Sequence, residues 1–224
     1  MRLLEFAEFD QSMPLSYGNP SSYQKEILDQ KSELKDQFMQ NGMYLKWLSE
    51  APPDINSEKV RDSILYCIDL IQNVSQEDKE FALKAEENMY KIIHDFLKEK
   101  AINDYSLEDI MAQEKRLDPI IMGIKYYFNY PRPFQAAHYL NLPLYPIVEP
   151  MTTTNSPSYP SGHSMESNIL CGVLAKKYPA IGNELLELAD KISRSRVWAG
   201  IHYDFDDAQG RKIANDILKS GFTF

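Results

Sequence analysis

Three separated segments of this chain hold residue types suited to one task, gripping a tetrahedral oxyanion. The first runs Lys125-Tyr-Tyr-Phe-Asn-Tyr-Pro-Arg132-Pro133, the second is Pro160-Ser161-Gly162-His163, and the third opens with Ser195-Arg196 and reaches His202 and Asp206. Lys125, Arg132 and Arg196 can neutralise phosphoryl oxygens, each arginine through two parallel hydrogen bonds. Of the two imidazoles, one can attack phosphorus while the other protonates the departing oxygen, and no metal is then required. A carboxylate accepting the Nδ1 hydrogen of His202 would fix the tautomer that leaves Nε2 free to attack. Asp206, four residues on, can do this on a helix; Asp204 and Asp207 are rivals for the part.

These side chains need elements to carry them. Ser161-Gly162-His163 follows a proline and precedes Met165, Ile169, Leu170 and Val173, so it falls at a helix start, where free N–H groups and the dipole favour an anion. Gly162 allows the backbone to approach closely. Lys125 and Arg132 lie two helical turns apart and face one side if the helix persists to Pro131. Arg196, His202 and Asp206 run from the end of one expected helix to the start of the next.

The remainder of the pattern is helical. Ser21-x-x-Gln24 reads as a capping box opening a helix up to Asn41-Gly42. Asn56 or Ser57 caps a second helix through Val60, Ile64, Ile68 and Ile71. Ser75 opens a third, with an almost unbroken stripe through Phe81, Ala85, Met89, Ile92 and Phe96. Ser106 starts a fourth segment, which Pro119 is expected to split. Residues 1–20 read as an irregular arm, and the proline-rich stretch from Tyr130 to Pro160, with Thr152-Thr-Thr-Asn-Ser156, as a long functional loop. Helices resume from Ser161 to Lys177, Asn183 to Gly200 and Asp206 to Lys219. The fold class is all-α, a single helical domain over residues 21–224 whose motif-bearing part is 118–219.

Bulk composition narrows the function. A chain of 224 residues with 43% hydrophobic and 25% charged residues reads as globular. The net charge of −9 argues against a nucleic-acid surface, so any anion site must be a local positive pocket. No stretch approaches the roughly 20 apolar residues that cross a bilayer. The acidic start is unlike a signal peptide, and a cytoplasmic location is expected. Cys67 and Cys171 lie on apolar helix faces and read as reduced core thiols.

Each piece has an ordinary alternative: a serine cap beside a surface histidine, solvated charges, an acidic helix N-terminus. Their conjunction removes these. Eleven specified residues in three blocks, Lys-x6-Arg-Pro, Pro-Ser-Gly-His and Ser-Arg-x5-His-x3-Asp, follow the order of the type 2 phosphatidic acid phosphatase superfamily. Within it the chain most resembles the soluble bacterial class A acid phosphatases, through Ser158-Tyr159-Pro-Ser-Gly-His163 and Ser195-Arg-Val-Trp-Ala-Gly-Ile-His202. The resemblance implies a helical-bundle phosphomonoesterase. His202 would be the nucleophile and Asp206 its orienting partner. His163 would be the acid and then the base. Lys125, Arg132, Ser161, Gly162 and Arg196 would hold the phosphoryl oxygens. It implies a small phosphorylated substrate, no cofactor and side activity in phosphotransfer, and leaves homo-oligomerisation open.

Two departures stand: those relatives are normally exported, and Tyr203 stands where Trp is frequent. The alternatives are a vanadium-dependent haloperoxidase, whose cage would hold vanadate as cofactor, a lipid-phosphate or pyrophosphate phosphatase, and a non-enzymatic phosphate-binding protein. The aromatics Tyr126, Tyr127, Phe128 and Tyr130 read as core, and His94 and His138 need no role.

Overall fold

A computed structural model describes residues 15–147 and 154–224. Most of the expected arm and the start of the polar run at Thr152 lie outside these; residues 15–20 have no regular secondary structure.

The serines read as caps do cap. Ser21 and Gln24 form a reciprocal box at the head of α1 (Ser22–Asp29). The helix expected to reach Asn41 is interrupted, because Ser32 turns its hydroxyl to Lys35 N and starts α2 (Glu33–Gln40) afresh. Gly42, at φ 78°, leads into α3 (Met43–Leu48). Ser57 caps α4 (Glu58–Asn73) and Ser75 caps α5 (Gln76–Glu99). The stripe expected to be unbroken in α5 is interrupted at Asn88, whose φ of −165° and ψ of 92° are extended. The Asn88 side chain then accepts Lys91 N at 2.9 Å, the bond of a helix start, so the second half of α5 begins with its own cap.

Ser106 caps α6 (Leu107–Phe128), which passes through Pro119 without dividing. A mid-helix proline costs about 3 kcal/mol. Here Leu117 before it and Ile120, Ile121 and Ile124 after it are all buried in one core cluster, and that packing outweighs the cost. Asn129, at φ 47°, ends α6. The stretch expected to be loop contains α7 (Pro133–Tyr139), which has proline at its first position. Then follow α8 (Gly162–Lys177), a short 3-10 turn (Pro179–Ile181), α9 (Gly182–Trp198) and α10 (Asp204–Lys219). The described residues contain no strand, and the all-α class stands.

Helix α8 is the axis of the fold. It packs chiefly on α9 and α10 and also touches α5 and α6, and its residues from Ser164 to Ser167 and Ile169 to Leu174 are buried. One side joins Ile169 to Phe38, Trp47, Ile121 and Ile217; the other joins Leu170 and Leu174 to Ile93, Leu185 and Ile192. Trp47, fully buried, also donates its indole N–H to Asp216 at 3.1 Å, which locks α3 to α10. Cys67 and Cys171 are buried and unpaired. Since Ser161 caps α8, this core fixes the second motif at the N-terminal end of the helix around which the others pack.

Candidate active site

Gly210 on α10 sets the closest approach in the site. A Cβ there would lie 2.7 Å from Ser161 O and 2.9 Å from Ser164 Cβ, so only glycine lets α10 press against the first turn of α8. Ser161 N donates to Asp206 O at 3.1 Å across that contact. The third motif is thereby docked on the second.

The first motif arrives differently from expectation. Helix α6 stops at Phe128, so Lys125 and Arg132 do not share a helix; Lys125 ends α6 and Arg132 is the residue before α7. The turn at Asn129 still brings both to the same place. Lys125 Nζ donates to Pro157 O at 2.5 Å and to Ser158 O at 3.2 Å, and Arg132 Nε donates to Ser156 O at 3.0 Å. Ser158 N in turn donates to Tyr130 O at 2.8 Å. The two cations thus pin the segment before Pro160 through its carbonyls.

His202 is 3% exposed, at the end of the turn joining α9 to α10. Arg132 Nη1 lies 2.8 Å from its Nε2, and Asp206 Oδ2 lies 2.9 Å from its Nδ1. A guanidinium has no acceptor, so Nε2 must offer its lone pair and the ring hydrogen belongs on Nδ1, facing Asp206. Asp206 Oδ2 also accepts from Ser158 Oγ at 2.5 Å and from Tyr203 N at 3.2 Å. The rival carboxylates are engaged elsewhere: Asp204 accepts from Ser63 at 2.5 Å, and Asp207 holds Arg211 Nε at 2.9 Å.

Burial dominates the electrostatics. It holds His202 well below the usual imidazole value, and the cations Arg132, Lys125 and Arg196 push the same way. Burial raises the Asp206 carboxyl to about 7, against the Ser158 hydrogen bond and the Lys125 charge. Arg132 is drawn down to about 10 by burial, and Lys125 falls well below its ordinary value through burial and then Arg132. Cations so crowded and dry favour an anion that would relieve both effects.

His163, the second residue of α8, is half-buried, and its Nε2 donates to Ala85 O at 3.2 Å. Burial and then Arg196 hold it well below its ordinary value, with Glu86 opposing. Arg196 is fully buried on α9 and ion-paired with Glu86 of α5. One stretch of α5, just before its break at Asn88, therefore orients both residues.

A cleft of about 320 Å³ opens over these groups; Lys125, Arg132, Gly162, His163 and His202 line it. Ser161, Arg196 and Asp206 stand behind that lining. Ser161 Oγ is occupied as the α8 cap, accepting from Ser164 N at 3.3 Å and Ser164 Oγ at 2.9 Å. A Cβ on Gly162 would lie 3.7 Å from Lys125 Cε, so its absence keeps clear the space beside that cation. The aromatics of the first motif stay outside the cleft: Tyr130 is core, whereas Tyr127 is 62% exposed. His138 is exposed on α7 and His94 lies beside Asp95, both away from the cleft.

The motifs omit Glu86, Gly210 and the supporting role of Ser158. Only Ser158 left a sequence signal, two residues before the Pro-Ser-Gly-His block. No metal-like group of three His, Cys or acidic residues occurs among the described residues, and no helix there is long and apolar enough to cross a membrane.

Comparison with curated proteins returns no match. The stretch from 116 to 213, which contains all three motifs, matches the family model of the PAP2 superfamily. This stretch is thus similar to the PAP2 superfamily, whose members are in general phosphatases.

Proposed function

We propose that this protein is a metal-independent phosphomonoesterase of the acid phosphatase type, working through a phosphohistidine on His202. The observation that carries this reading is the placement of His202: a buried imidazole with Arg132 against Nε2 and Asp206 behind Nδ1, which burial pushes towards its neutral form. A ring held neutral is a nucleophile at mildly acidic pH, where a free histidine would be largely protonated.

In the first step Nε2 attacks phosphorus, the bond from phosphorus to the leaving oxygen breaks, and that oxygen takes a proton from His163. The imidazolium-like phosphohistidine keeps its Nδ1 hydrogen on Asp206. Lys125 and Arg132 at the cleft wall, with Arg196 behind, stabilise charge on the equatorial oxygens. In the second step His163 removes a proton from water, whose oxygen attacks phosphorus; the bond from phosphorus to Nε2 breaks and inorganic phosphate leaves. An alcohol replacing that water gives phosphotransfer with the same balance.

The bound dianion also accounts for the acid. Burial depresses His163 first, and Arg196 and Arg132 add to it; substrate charge counters those cations, so His163 can hold its proton once substrate is seated.

Rapid-quench labelling with a radiolabelled phosphomonoester tests the reading. Label on His202, full rate in EDTA, and inhibition by vanadate are expected. Label on His163 or a serine, or activity lost to EDTA and restored by a divalent metal, overturns it.

A further inference from the structure

We infer that the leaving-group half of this cleft selects an alcohol bearing a cationic nitrogen, so that the preferred substrate is a compact zwitterionic phosphomonoester. This inference rests on the phosphatase reading above and names its substrate class.

The cleft is bipolar. Its floor carries Lys125, Arg132 and the two histidines, while the wall that continues from them carries Glu114, Asp118 and Glu166. Glu114 and Asp118 lie one turn apart on α6, and Asp118 lies two turns before Lys125, so the three form one row along the helix, about 10 Å of axis between Asp118 and Lys125. Glu166 lies three residues after His163 on α8, on the face that His163 shares. A group leaving phosphorus past His163 meets Glu166 next and the α6 carboxyls beyond it.

These carboxyls have no cation of their own. Among the described residues none of the three lies within ion-pair distance of a lysine, arginine or histidine, although Glu166 is only 7% exposed. Their neighbour is a phenol: Tyr90 hydrogen-bonds to both Glu114 and Glu166. Burial raises all three, Glu114 against the Tyr90 hydrogen bond and the Lys115 charge, and the neighbouring carboxylates add to it at the other two, bringing Asp118 to about 7 and Glu166 well above its ordinary value. Water-poor carboxyls crowded without counter-ions would be relieved by a positive group, as the crowded cations on the floor would be relieved by phosphate.

The remaining wall favours a soft, bulky cation over a small hydrated one. Met89, Met111, Met122, Ile121 and the exposed ring of Tyr23 line the same space. Thioethers and an aromatic ring accommodate an alkylammonium well. The volume of about 320 Å³ is at the small end for ligand sites. It suits a short amino alcohol and disfavours nucleoside di- and triphosphates, whose extra anions would face the carboxyl wall.

Competition between charged and neutral isosteres decides the matter. kcat/KM is measured for phosphocholine, for 3,3-dimethylbutyl phosphate, which has the same shape without the charge, and for 3-phosphoglycerate. The same three are measured on Asp118→Asn and Glu166→Gln, with p-nitrophenyl phosphate as the general phosphatase assay. We expect phosphocholine to exceed its neutral isostere by about tenfold or more and 3-phosphoglycerate to be poorest. Each variant should shrink the charged-to-neutral ratio several-fold, a readout in which a general loss of rate cancels. Equal rates on the two isosteres in the wild type, or a ratio untouched in both variants, overturn the inference while p-nitrophenyl phosphate is still hydrolysed. No hydrolysis of any ester overturns the phosphatase reading itself.

Discussion

Arg132 donates from Nη1 to Nε2 of His202 across 2.8 Å, so the cation proposed to bind phosphate also holds the lone pair proposed to attack it. The same arginine is anchored at Ser156 O and Ile201 O, and its side chain has little freedom to leave. In the proposed mechanism, substrate must therefore insert phosphorus where this one hydrogen bond now runs.

Nitrogen NMR of the imidazoles can see this directly. In the free protein His202 should show a protonated Nδ1 and a hydrogen-bonded, unprotonated Nε2 down to pH values well below 6.5. Vanadate, by taking the Nε2 lone pair, should shift that signal alone. A spectrum with the hydrogen on Nε2 would reverse the roles of the two ring atoms and sink the mechanism.

If His163 is the proposed acid, its depressed pKa sets the alkaline limb of kcat/KM. That limb reports the free enzyme, where His163 must be protonated to act, so kcat/KM should already be falling below the pH at which an ordinary imidazole titrates. The limb of kcat should lie at higher pH, because bound dianion raises His163. His163→Asn should lose about 10²–10⁴-fold on alkyl phosphates and far less on p-nitrophenyl phosphate. Equal losses on both would make His163 a phosphate ligand and not the proton donor.

In the proposed mechanism, Asp206 and Ser158 act through His202. Asp206→Asn places a donor where Nδ1–H needs an acceptor, and kcat should drop by about 10³-fold or more, with little change in the affinity for inorganic phosphate. Ser158→Ala removes one of three donors to Oδ2, and a loss of about tenfold in kcat is expected. If Ser158→Ala weakens phosphate binding and spares kcat, its place is in the cage.

Asp118 makes stability depend on pH with a defined sign. Its folded pKa, about 7, is above the ordinary 3.8, so the native state holds this proton more tightly than the unfolded chain. The stability it contributes is complete below pH 3.8 and is lost as pH rises to about 7, at a cost on the order of a few kcal/mol. Asp118→Asn should therefore be more stable than wild type at pH 8 and indistinguishable at pH 4. Denaturant midpoints at both values check this; a variant less stable at pH 8 would contradict the burial assigned to the carboxyl.

The sequence revealed much of this because the decisive signals are local. Ser21, Ser75 and Ser106 each cap the helix their spacing predicts, Ser57 rather than Asn56 caps α4, Ser161 stands at the helix start expected of it and caps that helix itself, and the three motifs are brought together. The misreadings have a common cause in tertiary context. Pro119 is tolerated because apolar side chains on both sides of it are buried, which no window around the proline can report. Asn88 breaks α5 although its neighbours keep the helical period. Helix α7 is seven residues long and bounded by prolines, too short for periodicity to stand out from loop. Glu86 reaches Arg196 from 110 positions away, and Gly210 matters through a neighbour 49 residues earlier; neither belongs to a local pattern.

Lys125, Arg132 and Arg196 are 3%, 1% and 0% exposed in a protein whose formal charge is −9. Bulk electrolyte screens charges over about 10 Å at 0.1 M salt, but it does so through water, and these three cations have almost none. If these cations form the proposed phosphate cage, its attraction for phosphate is thereby insulated from the medium. What added salt does screen is the acidic exterior, which repels an approaching anion. Raising ionic strength should thus leave the dissociation rate of phosphate nearly constant while speeding its entry, the opposite of the response of a basic surface patch.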